Sequence, residues 1–290
     1  MDELLQHIMN AAILGGTYAL LGIGLTMIFG IMKVVNFTHG ELYTFGAYMA
    51  FFFVMVLHVN FFAAILLAIA LGMALGAMVE ILLLKRLRGA DIDITMLVMI
   101  GAWIIMQNAE QLIWGGVAKS VATPFPEDPL TIGPVSVSWL RVFIFAAAIV
   151  LIAATHLFIH RSGLGKAMRA TFQDRDTAAL MGINTSMINT LTFALGSGLA
   201  AAAGALLAPA FIVTITMGNP VSLKAFAIVI LGGLGNFWGA AIGGFILAGV
   251  EEIGAGYISS GYRDAIGFLV IILVLSFRPT GLIARSERIS

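Results

Sequence analysis

A chain of 290 residues with 60% hydrophobic residues, 10% charged ones and a mean hydropathy of +1.04 lacks the charge to clothe a water-facing globule; such a surface takes about a quarter charged residues. Fifteen basic and fifteen acidic residues cancel, which excludes a basic nucleic-acid-binding surface. The lack of cysteine excludes disulfides, thiol catalysis and thiolate metal sites.

Apolar stretches of about 18 residues or more predict an all-α, polytopic membrane helical bundle. They lack the period-two alternation of a transmembrane barrel. The opening MDELLQH is acidic, with no basic leader region and no small-residue cleavage site behind it, so the first apolar run is expected to be retained as a span. In chain order the segments are Ile8–Ile31, Glu41–His58, Phe61–Leu84, Ile94–Trp114, Leu140–Ile159, Met187–Ala208, Ala225–Val250 and Ala265–Phe277, about eight in all. Nothing between them is long enough for a second domain, so residues 1–290 are expected to form one transmembrane domain.

Lys and Arg in short loops set the orientation. Lys85, Arg86 and Arg88 place the third connection in the cytoplasm, as do Arg161, Lys166, Arg169 and Arg175 for the connection at about 160–186. The proline-bearing stretch Gly115–Trp139 reads as external, and counting back puts the N-terminus outside. The tail, with Arg278, Arg285 and Arg288, should lie inside, yet single crossings by the last three segments leave it outside. Segment seven carries GGLGNFWG in its middle, and glycine-rich backbone inside a membrane is tolerated only where protein or a water cavity satisfies it. The segment is therefore expected to split, either crossing as two short helices or entering and leaving on one side.

Two interruptions thus share a character, Asn36-Phe37-Thr38-His39-Gly40 and Gly235-Asn236-Phe237-Trp238-Gly239. Half-helix starts present N–H groups and a positive dipole end to a substrate path. Asn36, Thr38, His39, Glu41, Asn236 and Phe237 are the pathway candidates. Thr38 and Glu41 also have the spacing of a capping box, which alone would explain a helix start. Among other acids, Glu80 neighbours Lys85 and Arg86 and is expected at the cytoplasmic interface, while Glu110 is a functional candidate as an intramembrane carboxyl. Gly72/Gly76, Gly239/Gly243 and Ala200–Ala203 are read as close-packing surfaces.

From Lys166 to Met181 the apolar Ala167, Ala170, Phe172, Ala179 and Leu180 recur at helical spacing among Lys166, Arg169, Asp174, Arg175 and Asp176, predicting one short amphipathic helix along the membrane. Such a helix rests on lipid headgroups or docks into a groove on a soluble partner. The stretch GLGKA is no phosphate loop: His160 stands where a glycine is needed and Ala167 where Ser or Thr is needed. If ATP drives the protein, another chain binds it.

GLTMIFGIMKVVNFTHGELYTFGAYMA, GKAMRATFQDRDTAALMGIN and VILGGLGNFWGAAIGGFILAGVEE occur in this order, and through them the chain resembles the permeases of bacterial ABC importers for branched-chain amino acids. The resemblance runs essentially end to end, and the Asn-Phe-Thr-His-Gly stretch favours the amino-acid branch over sugar permeases. It implies a multi-pass inner-membrane subunit that is not itself an enzyme and binds no cofactor or metal. The expected partners are a second homologous permease, two cytoplasmic ATPase subunits that hold the ATP, and a periplasmic solute-binding protein. The loop with Lys166, Arg169, Asp174, Arg175, Asp176 and Gly182 would dock on an ATPase. The Glu-Ala-Ala-x-x-x-Gly signature of many importers is here Thr177-Ala178-Ala179 followed by Gly182, one residue short and without the Glu. Related permeases for urea, amides or other small solutes, a broken-helix secondary transporter and a structural or channel-like subunit are the competing readings.

Overall fold

A computed structural model describes residues 2–132, 135–278 and 281–282. The helices are α1 (Asp2–Met32), α2 (His39–Phe51), α3 (Phe61–Leu82), α4 (Ile92–Trp114), α5 (Trp139–Arg161), α6 (Gly163–Gln173), α7 (Arg175–Leu180), α8 (Thr185–Leu207), α9 (Gly218–Gly232), α10 (Phe237–Tyr257) and α11 (Arg263–Phe277). Among the described residues, seven helices are long and apolar enough to cross a membrane, and α9 is a shorter apolar helix. α2 runs on into a π turn, Phe52–Val56. The only strands among the described residues, β1 (Leu130–Ile132) and β2 (Val135–Val137), form an antiparallel hairpin within the connection from α4 to α5.

Polar side chains start most helices where the sequence supplies them. Asn60 accepts from the Phe62 N–H, Ser162 from Gly165, Asn184 from Met187 and Asn236 from Gly239. Each satisfies a donor that the first turn leaves without an intrahelical partner.

The centre of the bundle is α1 and α8. α1 packs on α10, α8 and α5, while α3 and α2 pack on α8. Small residues allow this closeness: a Cβ on Gly72 would meet Ala201, one on Gly76 would meet Ser197, and one on Gly204 would meet the Tyr43 backbone. Gly239 and Gly243 likewise lie against Gly232 and the Ile228 carbonyl, so both glycine pairs are packing surfaces. α4, α5 and α11 stay on the periphery and expose large apolar side chains such as Ile105, Val150 and Ile272.

Segment seven is two helices, α9 and α10, broken at Gly233–Asn236. The break lies at the end of the bundle that carries α6, because Phe172 of α6 packs on Gly235 and Gly30. The chain after α11 returns to that same end, where the Leu282 N–H donates to the Leu231 carbonyl at 2.8 Å. The split therefore repairs the crossing count. The two basic connections also share this end, since Arg88 and Arg175 line one small cavity there. Arg285 and Arg288 lie outside the described residues.

Candidate functional site

The first interruption is a helix start inside the bundle. His39 Nε2 donates to the Leu21 carbonyl at 3.1 Å, which sets the start of α2 beside the interior of α1 rather than its end. Glu41 meets Trp103, halfway along α4. The Gly40 N–H donates to Ser222 Oγ at 3.0 Å, and a Cβ on Gly40 would strike the Gly218 carbonyl. The start of α9 is thus buried against the start of α2, and Gln107 Nε2 holds Asn219 Oδ1 at 3.0 Å beside it. Two short helices beginning against each other inside a bundle leave backbone that only protein or water can satisfy.

The predicted capping box does not form. Thr38 has αR backbone and makes no side-chain cap. Instead Asn36 Oδ1 accepts from the Thr38 N–H at 3.0 Å and from Thr38 Oγ1 at 2.6 Å, an Asx turn that bends the chain into α2. Glu41 is drawn away by the Trp103 indole, which donates to Glu41 Oε1 at 2.9 Å. Asn36, Thr38, His39 and Glu41 are all fully buried.

The second interruption differs. Asn236 caps α10 directly, and the Gly235 N–H donates to Thr26 Oγ1 at 3.3 Å. Gly233 and Gly235 have φ of 99° and 80°, the left-handed region that suits glycine. Asn236 and Phe237 line a cavity of about 500 Å³ together with Gly30, Lys166, Arg169 and Phe172. Asn36 is not in its wall, so the two Asn-Phe stretches occupy separate sites. Phe237 also lies 5.5 Å from His156, whose ring stacks on His160 at 4.0 Å.

The predicted single amphipathic helix is two, because the Asp174 side chain restarts the chain. Asp174 ends α6 with extended backbone and accepts from the Asp176 and Thr177 N–H groups, both at 3.0 Å, to cap α7. Thr177 Oγ1 donates to it at 2.6 Å. The Thr177 hydroxyl and backbone hold this carboxyl below its ordinary range. Arg169 donates to the Ile159 carbonyl and so ties α6 to the end of α5. Lys166 lines the large cavity and Arg175 the small one. Asp176 is exposed, and Gly182, with φ of 85°, turns the chain toward α8.

A family model for the permease component of branched-chain amino acid transport systems matches residues 7–275. The chain belongs to this family. It is 36% identical to the high-affinity branched-chain amino acid transport permease BraD of Pseudomonas aeruginosa, over 98% of this chain and 96% of that one. It is 34% identical, with the same coverage, to the corresponding permease LivH of Escherichia coli K12. The ribose import permease RbsC of Escherichia coli K12 is more distant, at 25% identity over 89% of this chain and 80% of that one. No solved structure matches.

The permease also holds polar groups that its sequence patterns did not single out. Lys224 of α9 donates to Glu251 Oε2 and to the Tyr18 hydroxyl, each at 2.8 Å, and meets Asp264 at 2.9 Å, joining α1, α9, α10 and α11. Lys224 precedes the predicted seventh segment and Glu251 follows it, so a scan for apolar runs excludes both. Trp103 gives no pattern of its own. Glu80 is fully buried, and its partners are Arg88 at 2.7 Å and Thr190 at 2.5 Å rather than Lys85 or Arg86. Glu110 lies beside Glu41.

Proposed function

We propose that this chain is a transmembrane subunit of an ATP-driven importer for branched-chain amino acids. The observation that carries the reading is the start of α2 inside the bundle, against the start of α9. A broken helix pair at this depth is where transporters place a polar path through an apolar layer. End-to-end identity to BraD and LivH supports the substrate class.

The N-terminus faces the periplasm, and the end with α6, α7 and Arg88 faces the cytoplasm, in keeping with the excess of Lys and Arg there. Two cytoplasmic ATPases bind and hydrolyse the ATP, and α6–α7 docks on one of them. A second, homologous permease completes the path, and a periplasmic binding protein delivers the substrate. Movement of α6 reaches the membrane directly, because Phe172 sits on Gly30 of α1 and on the Gly233–Asn236 break. ATP-driven closure of the ATPases opens the permease pair outward, and hydrolysis resets it inward. Asn36, Thr38 and Asn236 are polar positions along that route. Selectivity resides mainly in the binding protein, so the membrane site is weak and transient.

The test is reconstitution of the permease pair with its ATPases in liposomes, with the binding protein added outside. ATP-dependent leucine uptake is the expected result. An assembled complex that hydrolyses ATP without moving leucine, isoleucine or valine refutes the substrate assignment. Uptake by the permease alone, driven by an ion gradient, establishes a secondary transporter instead.

A further inference from the structure

Two acidic side chains meet inside the bundle with no basic group between them. Glu41 is fully buried in the first turn of α2, and Glu110 is 5% exposed toward the end of α4. The two carboxyls are near enough to interact. Glu41 Oε1 has the Trp103 indole. Glu41 Oε2 and both oxygens of Glu110 are sealed from solvent, and apart from the Trp103 indole the two carboxyls have only each other as hydrogen-bond partners among the described residues. The Tyr48 hydroxyl, two turns after Glu41 on the same face of α2, is also buried and unpartnered, and it stands within electrostatic reach of Glu110.

The other buried acids of this bundle are arranged differently. Glu80 holds Arg88, Glu251 holds Lys224 and Glu252 holds Arg263. Each has its cation built in, as burial of a carboxylate requires. Only Glu41 and Glu110, among the described buried acids, lack one. Two carboxyls and a phenol offer several acceptors around one buried position. Their chemical complement is a compact cation with several N–H donors. The position adjoins the α2 start, where the polar route passes halfway along the bundle.

We propose that Glu41 and Glu110, with the Tyr48 hydroxyl, form the subsite that receives the α-ammonium group of the amino acid in transit. This inference rests on the importer reading and specifies which residues hold the charged end of the substrate. The ammonium supplies the missing cation while the substrate is held, and its departure returns the pair to sharing a proton, so holding is transient.

The test uses the complete importer in liposomes, with leucine as probe. The variants are Glu110→Gln, Glu110→Asp and Tyr48→Phe. Uptake is measured together with the thermal midpoint of the assembled complex. Because the Tyr48 hydroxyl has no hydrogen-bond partner in the resting protein, and the amide introduced by Glu110→Gln can still donate to Glu41, both variants are expected to keep or raise the midpoint. Glu110→Gln is expected to lower leucine uptake at least about tenfold, as loss of a buried charge partner does, with Glu110→Asp intermediate. Tyr48→Phe is expected to lower uptake by a smaller factor. Midpoint and uptake falling together make the pair structural and overturn the inference. Normal uptake by Glu110→Gln or by Tyr48→Phe also overturns it, and the latter decides if Glu110→Gln does not assemble. Sodium-dependent uptake that Glu110→Gln abolishes assigns the subsite to a metal cation and overturns the ammonium. A wild-type importer that moves no leucine removes the importer reading itself, whereas normal transport with indifferent variants removes this inference alone.

Discussion

The Lys224 ammonium and the Glu251 carboxylate meet 2.8 Å apart, tying α9 to α10 in the interior of the bundle, and the Tyr18 hydroxyl of α1 bridges the two. Removing one partner strands the other charge away from water. Lys224→Ala is expected to destabilise the protein by about 3–5 kcal/mol. The paired change Lys224→Met with Glu251→Leu is expected to cost much less, since the one charge left without its partner is the exposed Asp264 carboxylate, which water reaches. Thermal unfolding of the purified protein in lipid nanodiscs measures both, and equal losses count against the ion pair as the cause.

Gly46 and Gly101 lie on membrane helices and differ in what surrounds them. A Cβ on Gly46 would strike the Ala201 backbone, whereas Gly101 has open space around it. Gly46→Ala is expected to destabilise the α2–α8 contact by about 1–3 kcal/mol. Gly101→Ala is expected to be neutral or slightly stabilising, by up to about 1 kcal/mol, because alanine is the better helix former. The same unfolding measurement decides, and a reversed order contradicts the packing described for α8.

Gly235 is the point where the membrane break meets α6. It has φ of 80°, and a Cβ there would also meet the Phe172 ring. Gly235→Ala therefore strains the backbone by about 1–2 kcal/mol and pushes α6 outward. In the reconstituted importer the expected result is ATP hydrolysis that responds less to the loaded binding protein, with leucine uptake reduced more than hydrolysis. Proportional loss of both, or no loss, places transmission elsewhere.

Asp174 holds the joint between α6 and α7 through its charged form. Its carboxyl is held below the ordinary range, chiefly by the Thr177 hydroxyl and then by backbone N–H groups. A lowered carboxyl contributes stability that is fully present above its unfolded value, about 3.9, and is lost as pH falls through the lower folded value. Exchange of the Asp176 and Thr177 amides in the intact protein should therefore stay protected down to that range and lose protection below it. Asp174→Asn keeps an acceptor for the cap, whereas Asp174→Ala removes it. Coupling of hydrolysis to uptake should follow the same order, with Arg169→Ala also uncoupled because α6 loses its tie to Ile159.

Composition and run length carried most of the architecture. The segment pattern located the spans except at Glu41–His58, where α2 is a 13-residue helix too short to be one, and the Gly232–Gly239 run together with the basic tail required a split that the structure has as α9 and α10. Gly72, Gly76, Gly239 and Gly243 were legible as packing surfaces because small residues at four-residue spacing have few other uses inside an apolar helix. Local pattern misled at Thr38 and Glu41. A capping box is satisfied within four residues, but Trp103, 62 positions away, offered Glu41 a donor, and Asn36 turned the chain first. The loop after α5 misleads for a similar reason: amphipathic spacing runs through Asp174, yet that side chain accepts from the Asp176 and Thr177 N–H groups and begins a new helix.

The sequence by itself determined that this is a membrane helical bundle, where its helices break, and which family it belongs to, because those properties follow from hydropathy, glycine placement and long stretches of shared residues. Only the tertiary structure decided which polar groups meet. Glu41 with Trp103 and Glu110, and Lys224 with Glu251 and Tyr18, come from different helices of the chain. Their pairing is set by how α1, α2, α4, α9 and α10 approach one another, which no spacing along a single helix encodes.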